Sequence, residues 1–315
     1  MLTLLRPKPF RGDQVAAGTV VLSVLVLLLN LRFADAWPTG VHLAYTGLAA
    51  ALVLGMAVAA PREPAGPPAW HSTLYVAGFL LAAATLASLA EILGSDGGAG
   101  TYTWVGLALT ALAGWMSRAR GSASGTLLAA VTAVLTSLAV LRWTSSADGM
   151  TSFRYLLLAD TVVLVLAALW QRVRGPAHGV QLLNAVGLTL LAIALTFAFS
   201  GFAGLILGGA GGATALELQI AWGWTLLVLA GGIGILSAGA ADNERGNVLV
   251  GIVLLLAFVL MAGNGNLLGW PILLGGAAIA LLVIGLRPST PLPTEPPPGA
   301  GDATPPAPLP VPPLR

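Results

Sequence analysis

Asp160 is the ionisable residue with the clearest potential for chemistry, because it interrupts the apolar stretch of residues 156–164. A carboxylate surrounded by hydrocarbon costs several kcal/mol unless it faces protein or water. Arg142 and Arg154 precede it in the chain. One interpretation is a water-filled vestibule, in which Asp160 binds a cation or proton and one of the arginines steers or gates. The alternative is that Asp160 pairs with an arginine or a hydroxyl on a neighbouring helix and fixes the packing.

Polar side chains also recur at three-residue steps in His178, Gln181 and Asn184, a spacing that places neighbouring pairs on overlapping faces of one helix. Amide side chains inside a bilayer usually form hydrogen bonds to another helix. We therefore predict that Gln181 and Asn184 join helices, with a contact to a small solute as the alternative. Glu217 is a weaker candidate, because a carboxylate at the start of an apolar span also complements the helix N-terminus.

A glycine-rich segment follows these residues. The 34 residues from Gly179 to Gly212 are too many for one span of about 30 Å and too few for two spans with a turn. Gly204, Gly208 and Gly212 recur at four-residue steps, which gives a helical piece one smooth face for close approach. The segment is interpreted as a re-entrant half-helix that lines a cavity, or alternatively as an external apolar loop.

Several kinds of chemistry are excluded by composition. The chain has no cysteine, and Lys8 is its only lysine, so thiolate sites, disulfides and an intramembrane Schiff base are absent. His42, His71 and His178 are far apart and form no HExxH-type ligand pair. The usual acid, base and nucleophile sets are missing as well. We therefore expect no enzyme activity, no metal site and no cofactor.

The elements that must position these residues follow from composition. The 315 residues are 57% hydrophobic and 8% charged, with mean hydropathy +0.90, whereas soluble domains are about one-quarter charged. A formal net charge of +2 also argues against a nucleic-acid partner. The sequence therefore predicts an all-α, polytopic integral membrane protein whose main partner is the lipid bilayer.

Ten apolar stretches are long enough to cross a bilayer, and together they predict one bundle. They lie near 15–33, 41–60, 73–93, 101–116, 125–142, 153–171, 179–199, 217–239, 247–262 and 267–286. The first is interpreted as an uncleaved span, because its apolar part is longer than that of a typical signal peptide. If the ten spans cross the membrane in alternation, eleven of the fourteen Lys and Arg residues lie in segments on the same side of it. Positively charged flanks are retained on the cytoplasmic side, so we predict that both termini are cytoplasmic and that the protein lies in the cell membrane.

Three regions are predicted along the chain: a basic cytoplasmic N-terminus (1–14), the helical bundle (15–286) and a Pro-rich disordered cytoplasmic tail (287–315). The tail contains 12 of the 21 prolines and has no apolar period, which favours extended polyproline conformations. Residues 118–125 match residues 172–179 at five of eight positions. The match indicates either a duplicated two-helix unit or the shared chemistry of two short turns.

Two classes of function remain open. Asp160, the charged segment before it and the glycine-rich segment favour a secondary transporter or permease for a small solute. The scarcity of polar residues in the spans favours a non-catalytic scaffold or a subunit of a larger complex, with other membrane subunits as partners. The sequence alone leaves both classes standing.

Overall fold

The computed structural model describes residues 12–60, 69–95, 97–145, 150–206 and 222–262. Within these ranges the chain forms helices and no strand, so the predicted all-α fold is confirmed. The nine described helices are α1 (Gly12–Arg32), α2 (Thr39–Ala59), α3 (Ala69–Ile92), α4 (Ala99–Arg120), α5 (Ala123–Thr144), α6 (Met150–Arg174), α7 (Pro176–Ile206), α8 (Trp222–Asp242) and α9 (Arg245–Ala262).

Eight of the described helices, all except α4, are long and apolar enough to cross a membrane. The chain is therefore a multi-pass membrane protein. Helix α4 has 22 residues and is long enough to cross, but its polar and basic residues lower its mean hydropathy. Each of the first nine predicted spans falls on a helix, whereas the tenth, at 267–286, lies outside the described residues. The total of ten and the positions of both termini stay predictions.

The described helices are arranged as a row of hairpins. Helix α2 pairs closely with α3, α4 with α5, α6 with α7, and α8 with α9. The odd-numbered helices α1, α3, α5, α7 and α9 also contact one another in order, and they form a continuous layer. Each even-numbered helix packs on the odd-numbered helices before and after it. This arrangement leaves grooves between neighbouring even-numbered helices, with an odd-numbered helix as the floor.

The two similar segments, residues 118–125 and 172–179, each form the turn of a hairpin. Gly121 has a left-handed φ of 64° and ends α4, and Ser122 accepts a hydrogen bond from the backbone N–H of Gly125. A Cβ at Gly125 would lie 2.9 Å from the backbone nitrogen of Ser117, and one at Gly179 would lie 3.0 Å from Cα of Arg172. Both glycines therefore stand where the second helix of a hairpin crosses the first. Duplication stays a hypothesis.

Glycines also set the packing of α8 against α9. A Cβ at Gly239 would lie 2.7 Å from the backbone nitrogen of Val248, and one at Gly251 would lie 2.7 Å from that of Leu236. Such close approach of backbones is typical of helix pairs in membranes, where van der Waals contact replaces the hydrophobic driving force. Large apolar side chains point outward instead, as does the 77% exposed side chain of Leu260. The outer surface is therefore suited to lipid.

The predicted terminal regions lie almost wholly outside the described residues. Residues 12–14 of the predicted N-terminal region already belong to α1. The described residues all fall in one compact unit, Met1–Gly265. The tail at 287–315 stays a prediction.

Candidate functional site

Asp160 is bonded to a hydroxyl on the neighbouring helix. Ser137 of α5 donates a hydrogen bond of 2.6 Å from its Oγ to Oδ2 of Asp160 in α6. The carboxylate is half-buried, and no described residue forms an ion pair with it. A hydrogen bond to a charged acceptor is stronger than one between neutral groups. This geometry is that of the hydroxyl-paired alternative, in which Asp160 joins two helices.

The side chain of Arg154, near the start of α6, contacts α7 rather than Asp160. Its Nε donates to Oγ1 of Thr196 at 3.0 Å, and its Nη2 donates to the Thr196 carbonyl at 3.2 Å. Its guanidinium also lies 3.7 Å above the centre of the Phe197 ring, a cation–π contact. Arg154 therefore ties the start of α6 to α7.

Arg142 is exposed near the end of α5, at one end of an apolar groove. The ion pair that the described residues do contain joins Arg172 to Asp242, with 2.5 Å between Nη2 and Oδ1. It connects the ends of α6 and α8. Asp160, Arg142 and Arg154 thus have separate partners or surroundings, and the structure does not bring them together as a vestibule.

The remaining predicted residues are only partly described. Gly204 lies in the last turns of α7, a continuous helix of 31 residues. At 1.5 Å per residue this helix is about 46 Å long, so it exceeds a hydrocarbon core of about 30 Å and must tilt or project beyond it. Glu217, Gly208 and Gly212 lie outside the described residues. The re-entrant segment therefore stays a prediction.

Two amides of α7 lie close to the start of α9, where a third amide, Asn247, is buried against α8. Nδ2 of Asn184 donates to Oε1 of Gln181 at 3.4 Å, and a Cβ at Gly246 would lie 3.5 Å from that same Nδ2. Asn247 follows Gly246, and Cβ of Asn247 lies 2.8 Å from the position that a Cβ would take at Gly239 in α8. We call Gln181, Asn184 and Asn247 the amide cluster. It lies where α7, α8 and α9 come together.

The amide cluster has unfilled hydrogen-bonding capacity. Asn184 is 9% exposed and Asn247 is 0% exposed. Oδ1 of Asn184 and both Oδ1 and Nδ2 of Asn247 have no hydrogen-bond partner among the described residues. An unpaired buried polar group costs about 1–3 kcal/mol. The hydrogen bond between the two α7 amides stays within α7 and does not join helices, so their role as links between helices stays a prediction.

His178, the first residue of the three-residue series, does join helices. Its Nδ1 lies 2.6 Å from Oγ1 of Thr126 in α5, and Thr126 also lies 2.7 Å from Oγ of Ser117 in α4. These side chains link the two hairpins α4/α5 and α6/α7. Within the described ranges no group of three or more His, Cys, Asp or Glu residues is close enough to hold a metal ion.

Sequence reasoning missed a polar network around His42. Nδ1 of this buried histidine lies 2.8 Å from Oδ1 of Asn30 and 2.9 Å from the hydroxyl of Tyr45, and Nε2 lies 3.2 Å from the Phe33 carbonyl. The Trp37 ring lies 6.1 Å from the imidazole. The network spans the turn between α1 and α2. Asn30, an amide inside the first predicted span, is the sequence signal that could have indicated it.

A second missed contact is made by Arg120 of α4. Its Nη2 donates to the carbonyls of Ala60 at 2.7 Å and Ala57 at 3.3 Å, and its Nε donates to the hydroxyl of Tyr75 at 3.2 Å. The arginine therefore satisfies carbonyl groups that the end of α2 leaves unpaired. Its sequence position indicates a membrane flank but not this partner.

No protein-family model matches the chain, and neither a curated protein nor a solved structure matches it. Function must therefore be inferred from the geometry of the molecule.

Proposed function

We propose that the protein is a permease for a small polar solute and that the amide cluster is its polar site. The observation that carries the proposal is Asn247, which is fully buried and has neither amide atom paired among the described residues. Buried amides are normally hydrogen-bonded, and an exception calls for an explanation such as a bound molecule.

The chemistry of the cluster favours an uncharged solute. An amide offers both donors and acceptors, and the unpaired atoms of Asn184 and Asn247 include both kinds. Arg172 and Asp242, on the neighbouring helices α6 and α8, already form an ion pair with each other. A neutral polar molecule can fill the free capacity without bringing an unpaired charge into the bundle. Asp160 and Arg154 then act as links between helices.

A scaffold or subunit role is the second candidate. The contacts Ser137–Asp160 and Arg154–Thr196 support it, since both use polar side chains to hold helices together. The glycine contacts between α8 and α9 support it as well. In such a protein the buried amide of Asn247 binds no solute. Its replacement by an apolar residue of similar size then raises the stability of the bundle or leaves that stability unchanged.

The decisive experiment measures solute entry into proteoliposomes by swelling, with a series of small neutral polar solutes, for the full chain and for Asn247→Leu. A permease loses most of its solute-dependent swelling in this variant, while its thermal stability is equal or higher. Residues that serve a site at the expense of stability behave in this way.

The matched control is Leu254→Ala, which alters a fully buried residue of the same helix but no amide. It lowers the unfolding free energy by about 2–5 kcal/mol, and swelling per folded molecule is retained. Swelling that Asn247→Leu leaves intact would show that the cluster is not the site. If no solute of the series enters faster than into empty liposomes, the scaffold role is favoured.

A further inference from the structure

A groove runs along α5 between the two even-numbered helices that flank it. Its volume is about 400 Å³, and α4, α5 and α6 all contribute to its walls. It exists because α4 and α6 each pack on α5 rather than on each other. The lining is almost entirely apolar, and it includes the buried Leu109 and the exposed Leu135.

The deep part of the groove offers no free hydrogen-bonding group. Its two polar residues are Thr132 and Thr136 of α5. Oγ1 of Thr132 donates to the Leu128 carbonyl, and Oγ1 of Thr136 donates to the Thr132 carbonyl, both at 2.7 Å. Threonine hydroxyls in helices often satisfy themselves in this way. The groove therefore suits a hydrocarbon chain better than a polar solute.

The groove has the length of one lipid leaflet. It extends along α5 from Arg142 to Thr132 and along α4 from Ala99 to Leu109. Ten residues of α-helix rise about 15 Å. The hydrocarbon core of a bilayer is about 30 Å thick, so one leaflet accounts for about 15 Å. An acyl chain lying along α5 thus matches the groove from end to end.

A single positive charge marks one end of the groove. Arg142 is the charged residue of the lining, and its side chain is exposed. The adjacent Trp143 and the groove residue Tyr102 are 64% and 65% exposed. Exposed tryptophan and tyrosine at the ends of spans are typical of the level of the lipid headgroups. Arg142 is therefore positioned for a negatively charged headgroup.

We propose that this groove is a binding site for an anionic phospholipid. One acyl chain lies along α5 between α4 and α6, and the headgroup phosphate is bound by the guanidinium of Arg142. Arginine is well suited to phosphate because its planar fork of N–H donors matches the phosphate oxygens. The site is separate from the amide cluster, whose residues belong to α7 and α9, so it does not depend on the proposed permease function.

A second groove provides an internal comparison. It has a volume of about 430 Å³ and lies between α1 and α3, with a lining that includes Val24, Val76 and Leu80. No charged side chain is part of this lining. It is therefore expected to accept acyl chains without selecting a headgroup.

The experiment counts the lipids that the full chain retains in native mass spectrometry. The protein is presented with equimolar phosphatidylglycerol and phosphatidylcholine of identical acyl chains. We expect phosphatidylglycerol to be retained about fivefold better, the factor that corresponds to one arginine near a membrane phosphate. Arg142→Gln is expected to abolish this preference. Arg174→Gln, which removes another exposed arginine at the far end of α6, is expected to preserve it.

Filling the groove tests the acyl-chain part of the site. Ala139 lines the groove, and Ala139→Phe is expected to remove the tightly retained phosphatidylglycerol. Val76→Phe, which fills the second groove, is expected to leave the headgroup preference unchanged. Ala139→Leu, a smaller change, replaces Ala139→Phe if thermal melting shows that the larger residue prevents folding.

Three results would overturn the proposal. Equal retention of both lipids by the unaltered chain would exclude selection by headgroup charge. A preference that survives Arg142→Gln would exclude Arg142 as the phosphate ligand. If Arg174→Gln lost the preference for phosphatidylglycerol as fully as Arg142→Gln, the preference would come from general surface charge rather than from the groove.

Discussion

Ser137 and Asp160 connect α5 to α6 through a hydrogen bond of 2.6 Å to a carboxylate. Hydrogen bonds to charged groups contribute about 1.5–3 kcal/mol to stability. The carboxylate is half-buried, so loss of the hydroxyl leaves it with access to only part of its hydration. The pair is therefore a link between neighbouring hairpins whose contribution can be measured.

Removal of this hydroxyl gives a residue-scale prediction. Ser137→Ala is expected to lower the free energy of unfolding by about 1.5–3 kcal/mol, measured by denaturant unfolding in detergent micelles. In Thr144→Ala, which removes a hydroxyl bonded only to the carbonyl of Val140 in its own helix, the change is expected to stay within about 0.5 kcal/mol. A double-mutant cycle with Asp160→Leu, which removes the acceptor, checks that the effect belongs to this pair. Additive changes in the cycle would contradict the link.

The polar residues show how much of a site the sequence can predict. Hydropathy places Asp160 and Asn184 inside spans, because each is a polar residue in an apolar run. It does not predict their partners, since Ser137 is 23 residues from Asp160 and lies on another helix. Asn247 was not among the predicted candidates because it stands at the beginning of a span, where a polar residue is common and indicates no particular role. Its complete burial beside Gly239 of α8 is what distinguishes it.

At the scale of the element, helices α8 and α9 approach each other closely because glycines lie at their contact. Gly251 has no neighbouring space for a side chain, because a Cβ there would lie 2.7 Å from a backbone nitrogen of Leu236. Gly234, in α8, has nothing within 4 Å of its Cβ position. The two positions separate the effect of close backbone approach from that of helix propensity.

Alanine substitution at the two glycines is expected to have opposite effects. Gly251→Ala forces α8 and α9 apart and is expected to lower the midpoint of thermal unfolding. Gly234→Ala is expected to raise stability by about 0.5–1 kcal/mol, since alanine is the better residue in a helix interior. The measurement is thermal unfolding followed by circular dichroism. A neutral Gly251→Ala would mean that the two helices tolerate a wider separation.

Helix α4 provides a second prediction at this scale, because its hydropathy is below that of the eight candidate spans. We expect α4 to cross the membrane with its partner α5. The chain lacks cysteine, so single cysteines can be introduced on either side of α4: Leu93→Cys in the connection between α3 and α4, and Ala119→Cys near the end of α4. A membrane-impermeant maleimide added outside intact cells is expected to label the first and to label the second only after permeabilisation. Labelling of both from outside would show that α4 does not cross.

The span positions were predictable because bilayer thickness sets the length of an apolar helix, so nine predicted spans fall on described helices. The order of packing was not predictable, because no hydropathy period specifies which helix faces which. Gly187 illustrates the reason. A Cβ there would lie 2.2 Å from Cγ1 of Val250 in α9, whereas several other glycines of the described helices, such as Gly114 and Gly234, have no such neighbour.

The row of hairpins has a consequence for how the whole molecule is made. Each described helix packs closely only on helices one or two places away in the chain. Contacts this local in sequence favour rapid and stepwise assembly. As each hairpin leaves the ribosome, the helices that it must meet are already in the bilayer. A nascent chain that ends after α5 therefore already holds every close contact among its first five helices, and each later hairpin adds to an existing edge without reopening the bundle.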